Sequence, residues 1–351
     1  MEAGENSGRI DHHVALVPIP VCPACAGSGP TRFDRVPEPH EGPPGRWRYR
    51  QCTACGSLWL DPRPRDEDLI EAYDASASAE ADETPPPDPP RTWRSGIRDA
   101  LVSRVYGYPA NEVSRPAAAA AAVLHRARVA VDRVGEPFMW IPASWGSRVL
   151  DIGCGDGRFL AAMRARGWTV AGIEPDPAAV RAARGRGIDV HVGVLDDVEL
   201  PDASFDVVTM SHVIEHVPDP VRALSSSLRL LRPGGRLVAV TPNASSIGLR
   251  SFGKAWAGLD PPRHLVLFTP RALARCAGAA GFASARVRST ARQASFIWHA
   301  SWWLRTRGAL PPEFATSPVS PAKRRPALFA LADTLAAARR RGEELVLVAE
   351  R

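Results

Sequence analysis

The stretch Val149–Leu160 reads VLDIGCGDGRFL, an apolar run that breaks into glycines at 153, 155 and 157 before a helix-forming sequence resumes. Such a run is a buried strand entering a turn whose bare backbone lets a ligand approach closely. Strand, glycine turn and helix in that order form the building unit of parallel α/β sheets. The alternation continues from Arg148 onward. RVLDI, WTVAGIE, IDVHV, FDVVTMS and RLVAVTP read as buried strands, with GRFLAAMRARG, DPAAVRAARGRG and DPVRALSSSLRLL as helices between them. Strands buried on both sides need helices on both faces of the sheet. Beyond Thr269, PRALARCAGAAGF reads as a helix, ASARVRSTA as a strand and EELVLVAER as a last strand. The domain is thus expected over residues 148–351, with a helical insertion at about 292–341 that holds FIWHASWWLRTRG and a basic helix over Pro326–Arg341.

Upstream the composition changes. Residues 15–70 are short, turn-rich and carry four of the six cysteines as Cys22-Pro-Ala-Cys25 and Cys52-Thr-Ala-Cys55. Each two-residue gap lets both thiolates turn onto one ion, and four soft thiolates in a tetrahedral array select Zn²⁺. With no open position, that site is structural; its binding energy replaces the core a module this small cannot build. Residues 74–93 end in ETPPPDPPRTW and read as a proline-rich linker. Residues 95–147 contain IRDALVSRVYG and RPAAAAAAVLHRARVAVDRV, helix formers expected on the substrate side. Paired cysteines without a disulfide framework indicate a reducing compartment, so a cytoplasmic location is expected. MEAGENSGRIDHH lacks the basic start and apolar core of a signal peptide. No run reaches the roughly 20 apolar residues of a membrane span. The formal charge of +6 permits an anionic partner, but much of the excess sits in arginine-rich C-terminal helices.

Gly153, Gly155 and Gly157 give G-x-G-x-G, not the G-x-G-x-x-G of the dinucleotide fingerprint. Asp151 ends the preceding strand, where a carboxylate takes a hydrogen bond from an ammonium or positions loop amides. Glu174 ends the next strand and suits the two hydroxyls of a ribose; Asp196, beside Leu195 in GVLDD, suits an adenine amine. These segments, with PDASFDVVTMSHVIEHVPDP and LRLLRPGGRLVAVTPN, resemble the successive motifs of class I S-adenosylmethionine-dependent methyltransferases. The resemblance runs from about Arg148 to Phe282. It implies a Rossmann-like seven-stranded sheet whose final strand is antiparallel. It also implies a cofactor site of Asp151, Gly153, Cys154, Gly155, Gly157, Glu174, Pro175, Leu195, Asp196, Ser211 and His212. The N-terminal QCTACGSLWLDPRP and the later LDPPRHLVLFTPRAL look like bacterial members that carry a zinc ribbon, some acting on sugars and others on specialised metabolites.

Methyl transfer from a sulfonium is an in-line displacement, so the protein aligns a nucleophile and often removes its proton. Of nine histidines, His216 lies just past the fourth strand and His264 lies in DPPRHL, a segment able to cross the same opening. Both are read as general-base candidates. Arg263 suits a phosphate or carboxylate, and Trp256 suits stacking on a sugar or aromatic face. The expected function is O-methylation of a small-molecule hydroxyl on a sugar or specialised metabolite. The alternatives are an RNA methyltransferase whose ribbon contacts RNA, and a non-catalytic cofactor-binding partner subunit. Against RNA, the ribbon is not enriched in lysine, and no Asn/Asp-Pro-Pro-Tyr/Phe stretch follows the fourth strand.

Overall fold

The computed structural model describes residues 15–39, 42–69, 92–110, 113–291, 293–311 and 340–351. Most of the expected linker at 74–93, and the basic helix from Pro326 except Arg340 and Arg341, lie outside the described residues.

The N-terminal module is built from β1 (Leu16–Val17), β2 (Thr31–Glu38), β3 (Gly42–Gln51), β4 (Leu58–Leu60) and β5 (Arg63–Pro64). Three helices follow: α1 (Trp93–Tyr106), α2 (Arg115–Leu124) and α3 (Arg128–Gly135). The sequence suggests one helix through RPAAAAAAVLHRARVAVDRV, yet Ala127 is extended at φ −87° and ψ 102° and divides it in two. The His125 ring nitrogen Nδ1 lies 2.8 Å from the Ala122 carbonyl, at the end of α2. Tyr106, Tyr108, Phe138, Trp140 and Ile141 then pack with Val149, Leu160, Met163 and Trp168, which joins this helical segment to one face of the sheet.

The sheet strands are β6 (Arg148–Ile152), β7 (Thr169–Glu174), β8 (Asp189–Val192), β9 (Phe205–Ser211), β10 (Leu231–Pro242), β12 (Ser284–Thr290) and β13 (Glu344–Glu350). Between them lie α4 (Arg158–Arg164), α5 (Pro177–Gly185), α6 (Pro220–Leu230), α7 (Ile247–Phe252), the short strand β11 (Val266–Leu267), α8 (Pro270–Ala279) and α9 (Ala294–Arg307). Asp176, Asp219 and Thr269 cap α5, α6 and α8, each followed by a proline at the first helical position. That pairing of an oxygen acceptor with a residue lacking N–H satisfies the otherwise orphaned first turn.

The seven strands run in the order β12-β13-β10-β9-β6-β7-β8. β8, β7, β6, β9 and β10 are parallel, and β13 inserts antiparallel to both neighbours. The expected Rossmann-like sheet with an antiparallel final strand is what forms.

A sequence-level boundary at residue 70 is not a boundary in space. β11, from the far side of the chain, pairs with β4 of the N-terminal module and completes a second sheet, β11-β4-β3-β2. Trp47, Tyr49, Leu58, Trp59 and Leu60 are buried in one continuous core with Leu265, Phe268, Leu273 and Cys276. The Thr269 hydroxyl donates to the Cys55 carbonyl at 2.7 Å, and the Cys276 thiol reaches the Ala24 carbonyl at 3.3 Å. Among the described residues no helix is long and apolar enough to cross a membrane.

Candidate functional site

Two buried carboxylates end the strands beside the glycine turn, and one of them, Glu174, holds it. Asp151 is buried at the end of β6, where the Thr209 hydroxyl donates to it at 2.6 Å. Glu174, buried at the end of β7, accepts the Gly155 amide at 2.8 Å and the Asp176 amide at 3.0 Å. Each oxygen keeps a lone pair for a further donor. Burial raises both carboxyls; Asp151 is pushed up to about 8, against the hydrogen bond from Thr209 and with the help of the nearby Glu174 charge.

The three glycines answer to different neighbours. A Cβ on Gly153 would lie 2.5 Å from a Val213 methyl, and one on Gly157 2.9 Å from the Ala183 Cβ. Those two positions serve internal packing. Gly155 sits at φ +52° with nothing within 4 Å of its missing Cβ, so its bare face opens to a ligand. Cys154 is a buried packing thiol against Gly172, while Pro175, Leu195 and Ser211 are half-buried nearby in the fold. Asp196 is partly exposed and already bridges to Arg222 at 2.7 Å and accepts from Ser226 at 3.3 Å.

Val213, against Gly153, belongs to the loop after β9, so the turn and that loop touch directly. His212 has the left-handed φ of +56° and a half-buried side chain engaged by two carboxylates. Its Nδ1 lies 3.1 Å from Glu215 and its Nε2 2.8 Å from Glu344. Burial alone would lower its pKa; the two carboxylates override this and hold it as an imidazolium. Burial alone would likewise raise Glu215, and His212 with its neighbours reverses this and keeps the carboxylate ionised.

The structure brings His216 and His264 together, with ring centroids 4.8 Å apart. Burial, then the neighbouring His264, lowers His216 to about 4. His216 Nδ1 donates to the Arg263 carbonyl and His264 Nδ1 to the Gly258 carbonyl, both at 2.9 Å. The segment carrying His264 is fixed on both sides. The Leu265 and Val266 amides donate to the Glu215 carbonyl, at 2.7 and 3.1 Å, and the Leu60 amide donates to the Leu265 carbonyl at 2.9 Å. The Tyr49 hydroxyl is shared by the Leu259 and His264 carbonyls.

Two residues expected at the acceptor face are engaged elsewhere. Trp256 is 1% exposed and its indole N–H donates to Glu343 at 2.9 Å, so no ring face is available for stacking. The Arg263 guanidinium forks onto Asp260, at 2.9 and 2.6 Å, which uses the geometry a bound anion would need. Sequence reasoning missed Tyr49, Thr209, Asp260 and Glu344. Thr209 lies inside PDASFDVVTMSHVIEHVPDP and Asp260 inside LDPPRHLVLFTPRAL, so the signal for those two was their place in a motif.

The four cysteines converge: Sγ atoms of Cys22 and Cys55 are 3.7 Å apart, those of Cys25 and Cys52 3.5 Å, and all four lie within 4.8 Å of one another. A tetrahedral ion with bonds of about 2.3 Å needs sulfur separations of roughly 3.8 Å. The Ala26 amide turns back to the Cys22 carbonyl at 2.8 Å and the Gly56 amide to the Cys52 carbonyl at 2.9 Å, forming two matching knuckles. These residues fit a four-thiolate metal site.

This strand order, with a glycine turn after the central strand and an acid closing the next, defines the class I S-adenosylmethionine-dependent methyltransferase fold. The open face of Gly155 and the remaining acceptor capacity of Glu174 fit an adenosyl cofactor. Residues 118–286 match a family model described as a methyltransferase domain. The region that matches a methyltransferase domain thus follows the four-cysteine module. It is 36% identical over 150 residues to the malonyl-acyl-carrier-protein O-methyltransferase of Serratia marcescens, a match covering 42% of this chain and 58% of the relative. To a ubiquinone biosynthesis O-methyltransferase of Thiobacillus denitrificans it is 36% identical over 149 residues, covering 39% and 64%. The chain thus spans less than two thirds of the length of these curated relatives. Among solved structures, an S-adenosylmethionine-dependent methyltransferase from Mesorhizobium loti aligns over 63% of this chain and 98% of its own, at 19% identity and a TM-score of 0.44.

The differing surroundings of the glycines separate binding from folding. Gly155→Ala costs about 1–2 kcal/mol for the left-handed backbone and fills the open face, so the protein folds but S-adenosylhomocysteine affinity falls at least about 10-fold. Gly157→Ala adds an overpacking penalty of about 1–3 kcal/mol against Ala183 and shows mainly as lost stability. Calorimetric titration and chemical denaturation of both variants check this.

Proposed function

We propose that this protein transfers a methyl group from S-adenosylmethionine to an oxygen of a small-molecule acceptor. The observation that carries the reading is the open glycine at 155, its amide held by Glu174, in a turn whose Gly153 packs against Val213 of the loop that bears His216. The names of the two curated relatives support oxygen as the receiving atom. A sugar or specialised-metabolite hydroxyl is the finer part of the proposal, and it rests on the ribbon resemblance. The cofactor supplies an electrophilic methyl on a sulfonium.

In this reading Glu174 accepts the ribose hydroxyls, Asp151 faces the cofactor's ammonium, and the turn backbone lies along its methionine moiety. Leu195 borders the adenine, with Asp196 near its amine. Cys154, Pro175 and Ser211 complete the walls. His212, as an imidazolium between Glu215 and Glu344, acts through those carboxylates by fixing the loop after β9. One ring of the His216–His264 pair receives the acceptor's proton, and the Glu215 carboxylate beside them stabilises the resulting imidazolium. Cys22, Cys25, Cys52 and Cys55 hold a structural Zn²⁺ that sets the position of His264 through β4 and β11.

Formation of S-adenosylhomocysteine is measured with phenolic, carboxylic and sugar hydroxyl acceptors. Turnover with at least one class is expected; His216→Asn and His264→Asn lower it by about 10²–10⁴-fold while cofactor affinity stays within about threefold. No turnover with any of them, together with RNA binding that weakens steeply as salt rises, contradicts the reading.

Asp151 gives a second check. With its carboxyl near 8, it is protonated at pH 7, and a cationic ligand favours the ionised form. Binding therefore releases a proton, and affinity rises with pH up to about 8. Calorimetry in buffers of different ionisation enthalpy is expected to show that release at pH 7, and Asp151→Asn to abolish it.

A further inference from the structure

Glu215 poses a problem that the methyltransferase reading leaves open. The residue has no exposed surface, and its Oε2 has no hydrogen-bond partner among the described residues. A buried, ionised oxygen left so is costly unless a cation or proton meets it. One ligand atom each from Glu215, His216 and His264 lies within 4.8 Å of the other two.

The surroundings of the three residues are those of metal ligands. Each ring gives its Nδ1 to a backbone carbonyl, Arg263 for His216 and Gly258 for His264. A carbonyl only accepts, so Nδ1 carries the hydrogen and Nε2 is the nitrogen each ring can offer to an ion; that of His264 also lies 3.9 Å from Asp260 Oδ2. The other oxygen of Glu215 is held by His212, itself braced by Glu344. Outer partners of this kind, carbonyls on imidazoles and a hydrogen bond on the carboxylate, orient ligands around an ion. The three residues come from two segments, the loop after β9 and the strand-linked loop at 258–266, which backbone hydrogen bonds between Glu215 and Leu265 hold together.

We propose that Glu215, His216 and His264 form a second metal site, for one divalent transition ion, with a coordination position left open. Two imidazoles and a carboxylate suit Zn²⁺ and its borderline neighbours rather than Ca²⁺ or Mg²⁺. In the function proposed above, the open position would take the acceptor oxygen and make its proton more acidic, so that the proton leaves to solvent and imidazole is not needed as the base. That use rests on the methyltransferase reading; ion uptake itself does not, so the two fail separately.

The test uses the full chain carrying one equivalent of tightly bound Zn²⁺, titrated calorimetrically with further Zn²⁺ and, in parallel, with Co²⁺. A second equivalent is expected, and its Co²⁺ form should show weak d–d absorption without thiolate-to-cobalt charge transfer. Glu215→Gln, which keeps the shape and the bond to His212, and His264→Asn, which keeps a donor for Gly258, should each weaken that uptake at least 10-fold. His212→Gln should weaken it by about 10–100-fold through the outer shell. The proposal is overturned by no second equivalent in the wild type, by thiolate charge transfer from it, or by undiminished uptake in both Glu215→Gln and His264→Asn.

Discussion

Leu265 is the residue on which the two halves of the molecule are stitched. Its amide donates to the Glu215 carbonyl, in the loop after the central strands, and its carbonyl accepts the Leu60 amide from the N-terminal module. One buried peptide thus joins three segments far apart in sequence. Breaking either bond would leave a buried polar group unpaired, at about 1–3 kcal/mol each. The surrounding core, with Trp59, Tyr49 and Phe268 all fully buried, excludes the water that could replace them. The four-cysteine module therefore shares one core and one sheet with the segment that carries His264.

The second constraint is electrostatic. Near the glycine turn burial raises Asp151 and Glu174 toward the protonated form, with neighbouring acids adding to it. Near the loop after β9, by contrast, His212 bridges two buried carboxylates and keeps Glu215 ionised. The first region is set up to receive positive charge from a ligand. The second carries its own, and has a carboxylate oxygen to spare.

Much of the sheet was legible in the sequence because its strands are continuous apolar runs and its helices open with Asp-Pro or Thr-Pro caps. The glycine turn and Glu174 were legible for the same reason: their positions follow from strand ends. What could not be read were contacts between distant segments. Nothing in LWL announces that it pairs with VL some two hundred residues later. Glu343, just before β13, and Glu344, its first residue, are both buried, one toward Trp256 and Trp298, the other toward His212. Successive strand residues face opposite sides, so a pair of acids there serves two environments. Trp256 and Arg263 were assigned to the acceptor face because aromatic and guanidinium groups often bind ligands; their partners Glu343 and Asp260 use those same properties internally.

If the thiolate cluster of the N-terminal module holds the His264 segment in place, loss of the cluster loosens that segment. Hydrogen exchange of the metal-loaded protein against a Cys22→Ser/Cys52→Ser variant measures this directly at the amides of His264, Leu265 and Val266. The account predicts that these amides lose protection by at least about 10-fold, or about 1.4 kcal/mol of local stability, while the amides of β6, β9 and β10 keep theirs. Unchanged protection at residues 264–266 in the variant would contradict it.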